Sequence, residues 1–279
     1  MRPATRFSAR SEWIDDLFSQ AASQIKPNET HAGTVASRRS PLLLPHAISY
    51  MHHDALSSFA NYQRILDTLH ARYDEPGLAS RLRGVAESSS IAELIKRAYP
   101  IAGHRGSVRT GDVVITTPNA LSSSFLPPDK KNADRAIKHF FSRRSEIAKE
   151  VGAEAGVSVR ACSYIVLLTI HILKDGNGRL ARLLYAADCA TASADPSEIL
   201  ALGLLHRERG RSFHVAARSA REGNLSMLLA CLRDASKQVE DRMSTSLLNL
   251  ESALDASDNE SAAGISLELH KFMQSQIQS

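Results

Sequence analysis

Twelve consecutive residues, His171-Ile-Leu-Lys-Asp175-Gly176-Asn177-Gly178-Arg179-Leu-Ala-Arg182, bring together side chains that each suit one part of nucleotide chemistry. The imidazole of His171 titrates near neutrality, as a general base requires. Asp175 offers a hard carboxylate oxygen of the kind Mg²⁺ takes beside phosphate and water. Gly176-Asn177-Gly178 can open into a concave run of backbone N–H groups, and such a nest at a helix start attracts anions. Arg179 and Arg182 are three apart, so on a helix that follows the nest they share a face, and their guanidinium forks suit phosphate oxygens. Taken singly, each type has an ordinary structural reading: a core histidine, a plain turn, a solvated helix face. Their fixed order in one run favours the catalytic reading.

The elements that must position these residues are helical. The apolar stretch 157–173 predicts a long helix that delivers His171 at its end, and 180–191 predicts the helix after the nest. Helical spacing also predicts elements over 13–25, 46–70, 91–99, 134–149, 197–208 and 225–235. Ser88, Ser89 or Ser90 supplies the N-cap of the 91–99 helix. Residues 26–39 hold almost no apolar side chain and read as an extended or disordered arm. Residues 237–279 read as two polar helices broken at 255–264. Val239, Met243, Leu247, Leu250 and Leu254 form a stripe that packs the first of them on its own domain. One stretch is strand-like, Val113, Val114, Ile115, Thr116 and Thr117, and it predicts a small hairpin.

Composition sets bounds on this reading. A chain of 279 residues with 43% hydrophobic content can bury one large core or a core with a smaller appendage. The 34 basic and 30 acidic residues leave a net charge of +4, too mild an excess to indicate a nucleic-acid partner. Arg207-Glu-Arg209-Gly-Arg211 reads as a solvated or phosphate-facing turn. Cys162, Cys189 and Cys231 are widely spaced in apolar surroundings and read as buried free thiols of a reducing compartment. No run approaches the roughly 18 apolar residues of a membrane helix, and the first residues lack a secretory apolar region. A cytoplasmic protein with no membrane partner is the expectation; delivery into another cell by a specialised secretion system stays open.

The twelve-residue string resembles the Fic signature, His-x-Phe-x-Asp/Glu-Gly-Asn-Gly-Arg-x-x-Arg, at every position but the aromatic one, where this chain has Leu173. In the family that side chain packs under the loop, and a leucine keeps the burial. The resemblance extends to Gly106 and Arg109, to the strand-like stretch and to Pro127-Pro128, which match in order a Gly-x-x-Arg segment, a β-hairpin flap and a Pro-Pro pair. It runs from about residue 48 to residue 235.

It implies an all-α, Fic-type domain with a short β-hairpin flap near the active site, over residues 46–235. A Ser/Arg-rich arm at 1–45 precedes it and a helical extension at 236–279 follows. The implied activity is a protein adenylyltransferase that moves AMP from ATP to a Ser, Thr or Tyr hydroxyl and releases pyrophosphate. His171 would be the base and Asp175 the Mg²⁺ ligand. Gly176, Asn177, Gly178, Arg179 and Arg182 would hold ATP, with Arg182 on the γ-phosphate. Val113 to Thr117 would hold the protein target by strand addition. Gly176 and Gly178 favour AMP transfer over the phosphorylation carried out by the related Doc kinases, which have Ala-Asn-Lys there. UMP transfer and a silent binding or toxin module remain alternatives, because nothing in the motif reads the base. Glu12 and Glu93 each sit in a partial match to the family's inhibitory pattern; a separate inhibitory, antitoxin-like protein and self-association also stay open.

Overall fold

The structure, a computed structural model, describes residues 11–24, 43–52, 55, 57–103, 106–115, 126–151, 156–192, 194, 196–207 and 211–278. Among them are twelve α-helices and no extended strand, so the protein is all-α. The centre is α7 (Val157–Ile170), in which twelve of fourteen residues are buried. A helix that is apolar on every side must be wrapped by others. Around it stand α1 (Ser11–Ser23), α6 (Lys130–Val151) and α8 (Asn177–Thr191), with α10 (Arg211–Arg221) and α11 (Ser226–Asp255) also in contact. Ile14, Leu17, Phe18 and Ala21 recur at helical spacing on α1 and are fully buried, and the Phe18 and Phe140 rings meet at 6.1 Å. The polar stretch 26–39 lies outside the described residues.

Where helices begin, their caps explain the start. The region read as one helix over 46–70 is two, α2 (Leu44–Ser49) and α3 (Phe59–Arg72). Ser58 is extended and its hydroxyl accepts the Asn61 N–H at 3.2 Å, so the cap restarts the chain where apolar spacing alone ran on. An unread helix, α4 (Glu75–Ala86), starts at Asp74, whose carboxylate accepts the Gly77 N–H at 2.9 Å, with Pro76 in the first turn. It packs on α8 and on α5 (Ile91–Ala102). Ser90 caps α5 as expected, and Gly103 ends it in the left-handed region at φ 65°.

Beyond the motif, α9 (Pro196–Arg207) is followed by α10, which the sequence reading left unassigned around a turn whose central residues 208–210 lie outside the described ones. The C-terminal part differs from the reading in its continuity. Helix α11 spans 30 residues without a break at 235–237, and the interruption before α12 (Asn259–Gln278) is only 256–258. Val239, Met243, Leu247 and Leu250 are buried along α11, which packs on α9 and α12. The stripe is therefore a core face of this chain.

Candidate functional site

The motif turn is built from the C-terminal end of α7. His171 takes φ 51° and ψ 52°, a left-handed conformation in which a β-carbon costs about 1 kcal/mol or more. That single residue stops the helix three positions before the 157–173 reading and swings Ile172–Lys174 out as an extended strip. The strip is held by Gly106–Arg109: Arg109 N–H donates to Ile172 O at 3.0 Å, and Lys174 N–H to Ser107 O at 2.9 Å. Val108 and Leu173 thus form an antiparallel bridge. A β-carbon on Gly106 would come within 2.9 Å of Leu173 Cδ1, so a glycine lets the two segments approach. Leu173 is buried, as expected for the position where the signature has phenylalanine.

In that bridge the backbone of Leu173 faces away from Val108, and Asn177 takes both of its groups. Leu173 N–H donates to Asn177 Oδ1 at 2.8 Å, and Asn177 Nδ2–H donates to Leu173 O at 2.9 Å. The buried amide is a clasp across the turn, so a side chain expected among the nucleotide contacts acts on the loop itself. Gly176 follows in the left-handed region at φ 84°, ψ 10°, and α8 starts at Asn177 with no side chain capping it. The first N–H groups of a helix have no intrahelical acceptor and carry partial positive charge. The N–H groups of residues 177–179 therefore have no intrahelical acceptor at this start.

His171 is partly buried, and its pKa is lowered to about 4, chiefly by burial and further by Arg109 and Arg221. It is neutral at pH 7. Its Nδ1 faces Leu168 O at 3.4 Å. A carbonyl can only accept, so Nδ1 carries the hydrogen and Nε2 is left with the lone pair. Asp175 is exposed on the turn, and its Oδ1 accepts the Gly176 N–H at 2.7 Å, which orients the carboxylate. Among the described residues no group of three or more His, Cys, Asp or Glu side chains could hold a metal ion. One oriented carboxylate beside an anion nest still suits Mg²⁺, which draws most of its ligands from phosphate and water.

The two motif arginines are placed differently. Arg179 is partly exposed and lines a cleft with Gly176, Leu173 and the α5 residues Ile95 and Tyr99. Arg182 is buried, and its Nε–H donates to Met51 O at 3.0 Å. Burial lowers its pKa to about 10, Tyr164 opposes this and Arg179 adds to it. Among the described residues neither glutamate of the two partial inhibitory patterns makes a hydrogen bond or ion pair with Arg182. Glu93 is engaged at its own helix start, where it accepts the Ser89 N–H and hydroxyl at 2.9 Å and pairs with Arg97 at 2.5 Å. Glu12 is exposed on α1.

Residues outside the motif complete the surroundings. Arg109 is 1% exposed; its Nη2 donates to Pro128 O at 2.6 Å and its Nη1 to Gly111 O at 3.3 Å. It therefore ties together the two ends of the segment expected to carry the flap. Ile115 and Leu126 each occupy a single β-bridge position, and Val114 is 60% exposed. Thr116 and Thr117 lie outside the described residues. Arg221 of α10 is close enough to act electrostatically on His171, and burial lowers its own pKa to about 10. Fully buried Tyr164 lies between the influences of Arg182 and Arg221, with a pKa raised to about 12 by burial. Spacing gave no hint of Arg221 or Tyr164. For Arg109 the Gly106-x-x-Arg109 pattern was a signal.

Cys162 and Cys189 are buried, with burial pushing both thiols up, while Cys231 is only partly buried; none of the three is in a disulfide. No helix among the described residues is long and apolar enough to cross a membrane. No family model matches the chain, and no curated protein matches it significantly.

Proposed function

We propose that the protein is a nucleotidyltransferase of the Fic type that moves AMP from ATP to a hydroxyl of a protein target. The observation that carries the reading is His171: a neutral imidazole, Nδ1–H turned to a carbonyl, fixed one turn before an uncapped, glycine-opened helix start. A base in its accepting form beside an anion site suits transfer of a charged phosphorus group to a hydroxyl. His171 Nε2 takes the proton as the hydroxyl oxygen attacks the α-phosphorus. The new O–P bond forms as the bond from the α-phosphorus to the α,β-bridging oxygen breaks, and pyrophosphate leaves with that electron pair.

The remaining motif residues orient the substrate. The N–H groups of 177–179 and the Arg179 guanidinium hold phosphate oxygens, with Arg182 behind them for the γ-phosphate. Asp175 is the residue that would hold Mg²⁺, which when bound neutralises phosphate charge. The segment 113–117 is the proposed flap on which an extended target segment pairs through its main chain.

The test is incubation of the protein and candidate targets with α-labelled and, separately, γ-labelled ATP, beside a His171→Ala control. Label entering protein from α-labelled ATP alone, lost by about 100- to 10,000-fold in the control, supports AMP transfer. Retention of more than a tenth of the activity by His171→Ala would remove His171 as the base. An α-labelled UTP arm reads the base preference.

A further inference from the structure

A second basic feature lies beside the motif and shares only Arg179 with the reading above. Between α3 and the C-terminal end of α5 is a cavity of about 320 Å³, lined by Arg64, Arg72 and Arg179 together with His52 and Thr68. Among the described residues no carboxylate lines it. Arg72 Nη1 donates to Pro100 O at 3.1 Å, which fixes that guanidinium and offsets the partial negative charge of the α5 end. Arg64 and Arg179 have no ion-pair partner among the described residues. Three guanidinium groups around one hollow repel one another unless an anion lies between them.

We infer that this cavity binds an oligophosphate anion, gripped by Arg64, Arg72 and Arg179. Its volume is at the small end of ligand sites, enough for a pyrophosphate-sized group and too small for a folded element of a partner. Several forked donors on one compact ligand match phosphate oxygens, and an oligophosphate brings enough charge to offset three cations. Arg179 lines both this cavity and the cleft at Gly176, so one side chain joins the two sites. The occupant is either the β,γ-end of a nucleotide seated on the motif or a separate oligophosphate; the chemistry is common to both. The link to nucleotide transfer rests on the function proposed above, whereas the anion site itself does not.

The experiment is calorimetric titration of inorganic pyrophosphate, AMP and ATP into the full chain and into Arg64→Gln and Arg64→Gln/Arg72→Gln variants. Arg64 is exposed, and its guanidinium makes no hydrogen bond within the described residues, so the single variant leaves the fold alone. Pyrophosphate affinity should fall roughly tenfold or more in the single variant, as for loss of one charge-assisted bond, and further in the double. AMP affinity should be unchanged. A parallel fall in ATP affinity assigns the cavity to the end of the bound nucleotide; an unchanged ATP affinity assigns it to a separate oligophosphate. Pyrophosphate binding that is absent in the wild type, or equal in all three proteins, overturns the inference. Absence of label transfer with pyrophosphate binding intact refutes the proposed function and leaves the anion site standing.

Discussion

If His171 is the base, its displaced pKa must appear in the rate. Burial holds the imidazole at about 4 against an ordinary 6.5. The sign is fixed by the neutral form being the active one: activity is constant above the free-enzyme pKa and falls tenfold per pH unit below it. At pH 5.5 an ordinary histidine is about 10% neutral, whereas one titrating near 4 is about 97% neutral. The assay is kcat/KM for transfer from α-labelled ATP between pH 4.5 and 8, with circular dichroism at each pH to confirm the fold. The control is needed because His46, buried and also lowered to about 4, opposes folding in acid. A histidine lowered in the native state makes the unfolded chain the better proton binder, so stability falls as pH drops from about 6.5 to about 4. The rate at pH 5.5 should stay within about twofold of its value at pH 7.5. A tenfold loss there with the fold intact would show that His171 titrates normally, or that another group limits the reaction.

Three further outcomes follow from the geometry. Asn177→Ala strips both partners from the buried backbone of Leu173, and should lower unfolding free energy by about 2 kcal/mol or more in urea titration; an unchanged midpoint and slope would mean the turn closes without the clasp. Asp175→Asn should raise the Mg²⁺ concentration needed for half-maximal transfer, with partial rescue at high metal; an identical metal titration would leave Asp175 a turn residue only. Ile115→Pro should abolish transfer to a protein target while calorimetric ATP affinity is kept, because proline removes a main-chain donor from the proposed flap; full transfer would place target binding elsewhere.

The site was legible in the sequence where its logic is local. Gly176 opening a helix, Asp175 beside it and His171 one turn earlier are all fixed by neighbours within a few residues, and Ser90 as the cap of α5 is a local signal too. What pairs across distance was not legible. Asn177 reads as part of a nest, yet which backbone its amide grips depends on Leu173 being pulled straight by Ser107 and Arg109, more than sixty residues earlier. Arg182 on Met51 O and Arg221 near His171 are likewise products of packing. Helix α4 escaped because Gly77 and Gly84 weaken its helical signal, although Asp74 and Pro76 mark its start. The run from α2 to α3 was misjudged because apolar spacing carries no record of a serine cap interrupting it.

One further contact, made by α12, bears on how the molecule is made. The carbonyl of Ala55 accepts Nε2–H of His270 at 2.9 Å, across 215 positions of chain, and the same ring lies edge-on to Phe59 at 5.5 Å. These contacts fasten α12 over the stretch that leads from Met51 into α3, the stretch whose carbonyl holds Arg182. A ribosome that has passed residue 182 has therefore written the whole motif but not the helix that locks its support. The nascent chain carries the motif residues before it carries the helix packed over their support. The Met51 amide, bonded to Ile48 O at 3.0 Å, should exchange with solvent faster in a chain stopped at residue 258 than in the full one. Equal protection would mean that the support forms without α12. The support of Arg182 thus waits on a helix made well after the motif itself.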